Sequence, residues 1–209
     1  MTKLGFLSSP LPTGWTEQTI ADVTSKVGSG ATPRGGAAVY VSSGTAFIRS
    51  QNVYDGSFQE EGLVFISDDA ATQLRGVTVE SGDVLMNITG DSILRTCRVP
   101  DSALPARVSQ HVAIIRSNGK IDPIFLQRWL VTPAMKAHML GHSSGGTRKA
   151  VTKAHILSFP IPVPPIEEQQ EIAATLGPLE EKIESNRRSS LLMEQLGSTY
   201  FAMLFRGVQ

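Results

Sequence analysis

The sequence predicts an α+β protein: a mixed α/β domain followed by one long C-terminal helix. Three observations carry that prediction. Residues 1–165 hold short, β-branched apolar runs punctuated every 8–15 residues by Gly, Pro, Asn or Asp. They show no regular βαβ repeat. A proline-rich stretch then separates them from residues 167–204, whose apolar positions recur at helical intervals.

In chain order, the strand-length runs are Ala46-Phe47-Ile48, Leu63-Val64-Phe65-Ile66, Val84-Leu85-Met86-Asn87-Ile88 and Val112-Ala113-Ile114-Ile115. Ser81-Gly82-Asp83 reads as the turn into the third. Helical spacing appears over residues 68–74. It recurs over residues 123–140, where Pro123 suits a first helical turn and Thr132-Pro133 should break or kink the helix. Trp15 and Trp129 read as core residues. Phe159-Pro160-Ile161-Pro162-Val163-Pro164-Pro165 reads as a stiff extended connector, because proline lacks the donor that a helix or interior strand needs.

Beyond the connector, Glu167, Glu168 and Glu171 crowd the start of the long helix, where the helix dipole favours negative charge. Ile172, Leu176, Leu179 and Ile183 step by four and three, and Met193, Tyr200 and Leu204 continue the seam past a polar centre at Asn186 and Ser190. Leu192, Leu196 and Met203 form a second stripe. A helix apolar on more than one face calls for a partner helix. Gly177-Pro178 predicts a kink or a restart.

Composition narrows the function. The chain has 209 residues, 41% hydrophobic and 18% charged, which is too apolar for disorder. No apolar run reaches the roughly 20 residues of a membrane helix, and the first ten residues lack a signal peptide's continuous apolar core. A cytoplasmic protein with no membrane partner is expected. Its single cysteine, Cys97, excludes an internal disulfide and a multi-cysteine zinc site. The net charge of zero is segregated: 15 basic against 12 acidic side chains in residues 1–165, and 4 against 7 in residues 166–209. Nine of the first 15 are Arg, whose planar fork suits phosphates and guanine edges.

Catalytic patterns are lacking. Residues 141–146 have a P-loop's glycine spacing, but Thr147-Arg148 stands where Lys-Ser/Thr is needed. His111, His138, His142 and His155 form no zinc motif, and Ser8, Ser143 and Cys97 have no evident base. Asp68-Asp69 and Glu60-Glu61 read as caps, turns or exposed faces. No methyltransferase or nuclease motif is found. The expectation is a non-catalytic chain with no cofactor and no metal.

The run Ile161-Pro162-Val163-Pro164-Pro165-Ile166-Glu167-Glu168-Gln169-Gln170-Glu171-Ile172-Ala173-Ala174-Thr175-Leu176 resembles the "IPxPPxxEQxxIAxxL" element of DNA specificity (S) subunits of Type I restriction-modification systems. In order before it lie Leu11-Pro12-Thr13-Gly14-Trp15, Gly30-Ala31-Thr32-Pro33, Phe47-Ile48-Arg49-Ser50-Gln51-Asn52-Val53, Gly82-Asp83-Val84-Leu85, Ile88-Thr89-Gly90, Gln110-His111 and Gly145-Gly146-Thr147-Arg148. All are similar to segments of that family. Most members carry two recognition domains and two spacer helices, whereas this sequence has one of each.

The resemblance implies a half-subunit, with residues 1–165 as target-recognition domain and residues 166–209 as coiled-coil spacer and dimerisation helix. It implies double-stranded DNA, a second copy, DNA methyltransferase (M) subunits and ATP-dependent restriction (R) subunits as partners. The candidate DNA-binding residues are Thr32, Arg34, Arg49, Gln51, Asn52, Asp91, Ser92, Arg95, Ser143, Ser144, Thr147, Arg148 and Lys149. Arg, Gln and Asn pair bidentately with base edges, and Arg148-Lys149 in a glycine-rich loop suits phosphate. The candidate dimerisation residues are Ile172, Leu176, Leu179, Ile183, Leu192, Met193, Leu196, Tyr200 and Leu204. A coiled-coil adaptor that never touches DNA, and the detached recognition domain of a DNA methyltransferase, are the alternatives.

Overall fold

The computed structural model describes residue 5, residues 10–142 and residues 150–205, the side chains of residues 37, 180, 181, 184, 187, 188 and 205 aside. It divides into two compact units, residues 1–173 and 174–209.

The first unit runs β1 (Thr16–Thr19), α1 (Ile20–Val23), β2 (Thr24–Ser29), β3 (Tyr40–Val41), β4 (Thr45–Ile48), β5 (Val64–Ile66), α2 (Asp68–Gln73), β6 (Thr78–Val79), β7 (Val84–Asn87), β8 (Thr96–Arg98), β9 (Ala106–Val108), β10 (Val112–Ser117), α3 (Pro123–Val131), α4 (Pro133–Gly141), α5 (Lys153–Ser158) and β11 (Pro160–Val163). The last helix, α6 (Ile166–Phe205), begins here and continues into the second unit.

Two sheets carry the body. One has the order β2-β10-β7-β8 and is antiparallel throughout. The other has the order β3-β5-β4-β9-β6, with β4 and β9 parallel. Strand side chains alternate between faces, and three cores follow from that alternation. Val84, Met86, Ala113 and Ile115 face a core shared with α3, α4 and α5. Leu85, Val112 and Ile114 face the second sheet's Ala46, Ile48, Ala106 and Val108. On that sheet's far face, Phe47 and Ile66 meet Ala70, Ala71 and Leu74 around α2.

Caps set the helix ends. Asp122 accepts from the backbone N–H groups of Ile124 and Phe125 and starts α3. Thr132 accepts from Met135 N–H at 3.3 Å and starts α4 with Pro133 in its first turn, so the predicted break between the two is present. Ser67 and Thr152 cap α2 and α5 in the same way.

Two expectations are corrected. The proline stretch is extended, yet it is no free connector: β11 pairs antiparallel with β1, and Ile161 and Val163 are buried. Prolines at 160, 162 and 164 remove every donor from one side of the strand and leave the N–H groups of Ile161 and Val163 for β1. On the donor-free side, Pro160 O accepts from Trp129 Nε1 at 3.0 Å and Pro164 O from Gln169 Nε2 at 2.9 Å. The second concerns only one of the two outcomes expected at Gly177-Pro178: α6 is one continuous helix through Pro178, so there is no restart.

The first turns of α6 belong to the first unit. Gln169 is fully buried there, its Oε1 accepting from Asp122 N–H at 2.7 Å and its Nε2 donating to Lys120 O at 3.2 Å. Trp15 donates to Glu168 Oε1 at 3.0 Å and stacks edge-on to Phe125, so both tryptophans sit against the first core. Ile172, expected on the dimer seam, also packs against that core.

In the second unit, described as a single helix, Leu179, Ile183, Leu192, Met193, Leu196, Tyr200 and Leu204 are 50–68% exposed. Leu191 and Phe201 join them. Among the described residues no helix is long and apolar enough to cross a membrane.

Candidate nucleic-acid interface

Four sequence-predicted segments and one flank of a fifth meet at one edge of the first unit, and backbone hydrogen bonds stitch them together. Ser109 N–H donates to Ile48 O at 2.9 Å, joining the turn before β10 to the segment that starts at Arg49. Ile88 N–H donates to His111 O at 3.0 Å, bringing in the segment after β7. Gly30 N–H donates to Val112 O and Ala31 N–H to Val108 O, docking the segment that carries Thr32 and Arg34. Gly30 must be glycine, because a Cβ there would lie 2.0 Å from Val108 O. Ala150 bridges to Thr89, and Val151 N–H donates to Ile88 O. The C-terminal flank of residues 143–149 therefore starts from the same edge. Ser143, Ser144, Thr147, Arg148 and Lys149 themselves lie outside the described residues.

The segment after β4 forms a tied loop. Arg49 N–H donates to Asn52 Oδ1 at 3.0 Å, while Asn52 Nδ2 donates to Gln59 O at 2.8 Å and Glu61 O at 3.4 Å. Asn52 is fully buried. In this conformation its amide braces the loop and offers nothing to a base edge, which changes the sequence expectation for it. Arg49 is half-buried, donates from Nη2 to Gly62 O at 2.6 Å and lies over the Tyr40 ring at 5.7 Å. Gln51 is exposed and rests on the same carbonyl at 3.3 Å.

The loop after β7 closes on two backbone bonds: Asn87 N–H donates to Arg95 O, and Leu94 N–H donates to Asn87 O. Leu94 has φ 66° and is buried. A branched residue in the left-handed region is strained, and burial of its side chain holds it there. Asp91 is exposed at the loop tip and Ser92 is half-buried. Arg95 lies over the Tyr54 ring at 4.5 Å, so the two loops also meet through a cation–π contact.

Sequence reasoning missed two features. One is Asn87, the single amide inside an apolar run, which donates to Ser50 O, Val53 O and Ser92 Oγ and so touches both loops. The signal was present: an amide amid Leu85, Met86 and Ile88 has to find partners. The other is a basic surround to residues 54–56. Lys136 pairs with Asp55, and Arg98 stands exposed on β8. Burial and the Arg98 charge hold Arg128 below its ordinary value. These cations are far apart in sequence, so no motif announces them.

His111 accepts or donates at Nδ1 to Thr89 Oγ1 across 2.8 Å, and Gln110 reaches its Nε2 at 3.3 Å. Burial pushes the Cys97 thiol up to about 12 and keeps thiolate chemistry away from neutral pH. Among the described residues, three buried polar atoms without a hydrogen bond lie at this edge: Arg49 Nε, Asn87 Oδ1 and Ser109 Oγ.

Residues 12–193 match the model of the Type I restriction modification DNA specificity domain. Over 172 residues the chain is 28% identical to the Type I restriction enzyme EcoBI specificity subunit of Escherichia coli, covering 80% of this chain and 36% of that protein. Its fold is similar to that of a chain solved in work on complex assembly and conformational transition of the type I R-M system, with TM-score 0.67, 20% identity and coverage of 90% of this chain and 44% of the other. It is also similar to the HsdS subunit from Thermoanaerobacter tengcongensis, with TM-score 0.60, 20% identity and coverage of 94% and 49%. The chain thus spans little more than a third of the E. coli relative and less than half of either solved chain.

Proposed function

The chain belongs to the Type I restriction modification DNA specificity family, and on that premise we propose that it is a non-catalytic DNA-recognition subunit that works as a homodimer. Residues 1–165 serve as the reading head and residues 166–209 as spacer and dimerisation helix. The observation that carries this reading is the meeting of separate polar loops at one edge, with Thr32, Arg34, Gln51 and Asp91 exposed. A duplex is read by side chains from a fixed platform, aided by cations at its phosphates. The platform here is the pair of sheets. The cations are Arg34, Arg95, Arg98 and Lys136, together with Arg148 and Lys149.

The exposed apolar residues of α6 support self-association, since a second copy offers the same surface in a two-fold arrangement. Two identical heads related by a two-fold axis read the same bases in opposite orientations. The target is then an inverted repeat of two half-sites around an unread spacer. In this role the dimer directs DNA methyltransferase subunits and ATP-dependent restriction subunits to the site.

Methylation mapping in cells that carry the chain with its methyltransferase tests the reading. Inserting four residues after Ser189 lengthens the helix by about 6 Å. The spacer should grow by about one or two base pairs of 3.4 Å each, with the half-site unchanged. A continuous or asymmetric motif from the homodimer overturns the two-headed reading. A changed half-site with an unchanged spacer overturns the role of the helix as ruler.

A further inference from the structure

The buried run of β7 contains an amide that the core does not need. Val84, Leu85, Met86 and Ile88 are apolar and buried, and Asn87 between them is fully buried as well. Its backbone is committed to the loop that follows, through Arg95 O and Leu94 N–H at 2.9 and 2.8 Å. Its side-chain Nδ2 donates to Ser92 Oγ at 3.1 Å within that loop. The same nitrogen reaches across to Ser50 O at 2.9 Å and Val53 O at 3.4 Å in the other loop. Oδ1 remains buried without a hydrogen bond. An apolar side chain of similar size would fill the space but take the donor away from the carbonyls of Ser50 and Val53, so what the amide contributes is the tie between the two loops.

What the amide does is fix the distance between two backbones that carry different exposed polar groups, Gln51 on one and Asp91 on the other. We propose that Asn87 is a positioning residue that registers the two loops against a single DNA half-site, so that base preferences on the two sides are coupled through it. It touches no base itself. This inference rests on the DNA-recognition reading above. Rigid support of contact groups decides recognition, because sub-ångström misplacement weakens bidentate base contacts far more than it weakens diffuse attraction to phosphates.

The test is selection from a randomised duplex DNA library by the full-length chain, alone and with methyltransferase subunits, followed by titration of the selected duplex and its single-base variants. Asn87→Asp keeps the side-chain volume and removes both donors. Discrimination against single-base variants should fall about tenfold, within the range that one mismatched pair commands. Affinity for unrelated duplex should stay within about twofold, because phosphate contacts dominate it. Equal weakening on every duplex, or undiminished discrimination in a folded variant, overturns the inference.

A wild-type chain that selects no sequence overturns the underlying reading and the inference with it. Should Asn87→Asp fail to melt cooperatively, Ser92→Ala decides, since it removes one arm of the bridge from a half-buried position. Its effect must then appear at the base position that Gln51→Ala shifts, on the far side of the bridge. An effect confined to other positions makes Ser92 a direct contact and overturns the coupling.

Discussion

The body of residues 10–173 and the helix beyond it have comparable apolar patterns and opposite fates. In the body, Phe47, Leu85, Ile114 and Ile115 are at most 1% exposed, because each strand face meets a second layer. On the helix, Leu179, Ile183, Leu192 and Leu196 are spaced just as regularly and remain 50–67% exposed. The difference lies in what is available to cover them. A helix draws most of its stability from tertiary packing of its apolar face. The body thus covers its own apolar faces, while the apolar residues of the helix stay exposed in the single chain.

The comparison breaks first at the core. Phe47→Ala should cost the body about 3–5 kcal/mol, read as a lower urea midpoint. Leu196→Ala should leave that transition within about 0.5 kcal/mol and weaken self-association. Equal effects would mean that the helix is part of the body's core after all.

Asn52→Ala and Gln51→Ala sharpen the contrast within a single loop. The first removes the brace to Arg49 N–H, Gln59 O and Glu61 O and should lower body stability by about 1–3 kcal/mol. The second should leave melting unchanged and shift base preference. Reversal of that pattern would return Asn52 to the base-reading role that its sequence suggests.

A smaller effect comes from pH. Burial and the neighbouring His142 hold the His138 imidazole below its ordinary value. The unfolded chain then binds that proton more readily, so the contribution is fully present above the unfolded histidine value and is lost as pH falls below it. Urea midpoints at pH 7.5 and 5.5 should differ less in His138→Gln than in the unchanged chain. Smallest for the body is Ile183→Asp: it should leave the body's melting unchanged while light scattering reports a monomer, because a charge cannot be buried unpaired in a helix seam. A persistent dimer would place the seam on another face.

Much of the body was legible because burial leaves a local trace. The four apolar runs became β4, β5, β7 and β10, and Thr132-Pro133 divided α3 from α4. β2 escaped because Thr24-Ser25-Lys26-Val27-Gly28-Ser29 is largely polar, and only its pairing with β10 makes it a strand. β11 escaped because proline argues against strands in general, whereas it tolerates the edge of one. At the candidate interface the loops were legible, while which of their side chains are buried was not. Asn52 and Gln51 are chemically alike, and one is buried while the other is exposed. Asn87 was passed over because its partners lie up to 37 residues away in sequence.

The alternating prolines of β11 bear on how two such chains meet in a crowded cell. An open strand edge is a template on which copies of a chain stack into aggregates. Helices that draw two bodies together raise the local concentration of any such edge many times over. With no donor on its outer side, and with Trp129 and Gln169 on two of its carbonyls, β11 cannot be extended by a neighbour's strand. In the homodimer proposed above, this edge of the body would then add no strand pairing to the contact made by the helices.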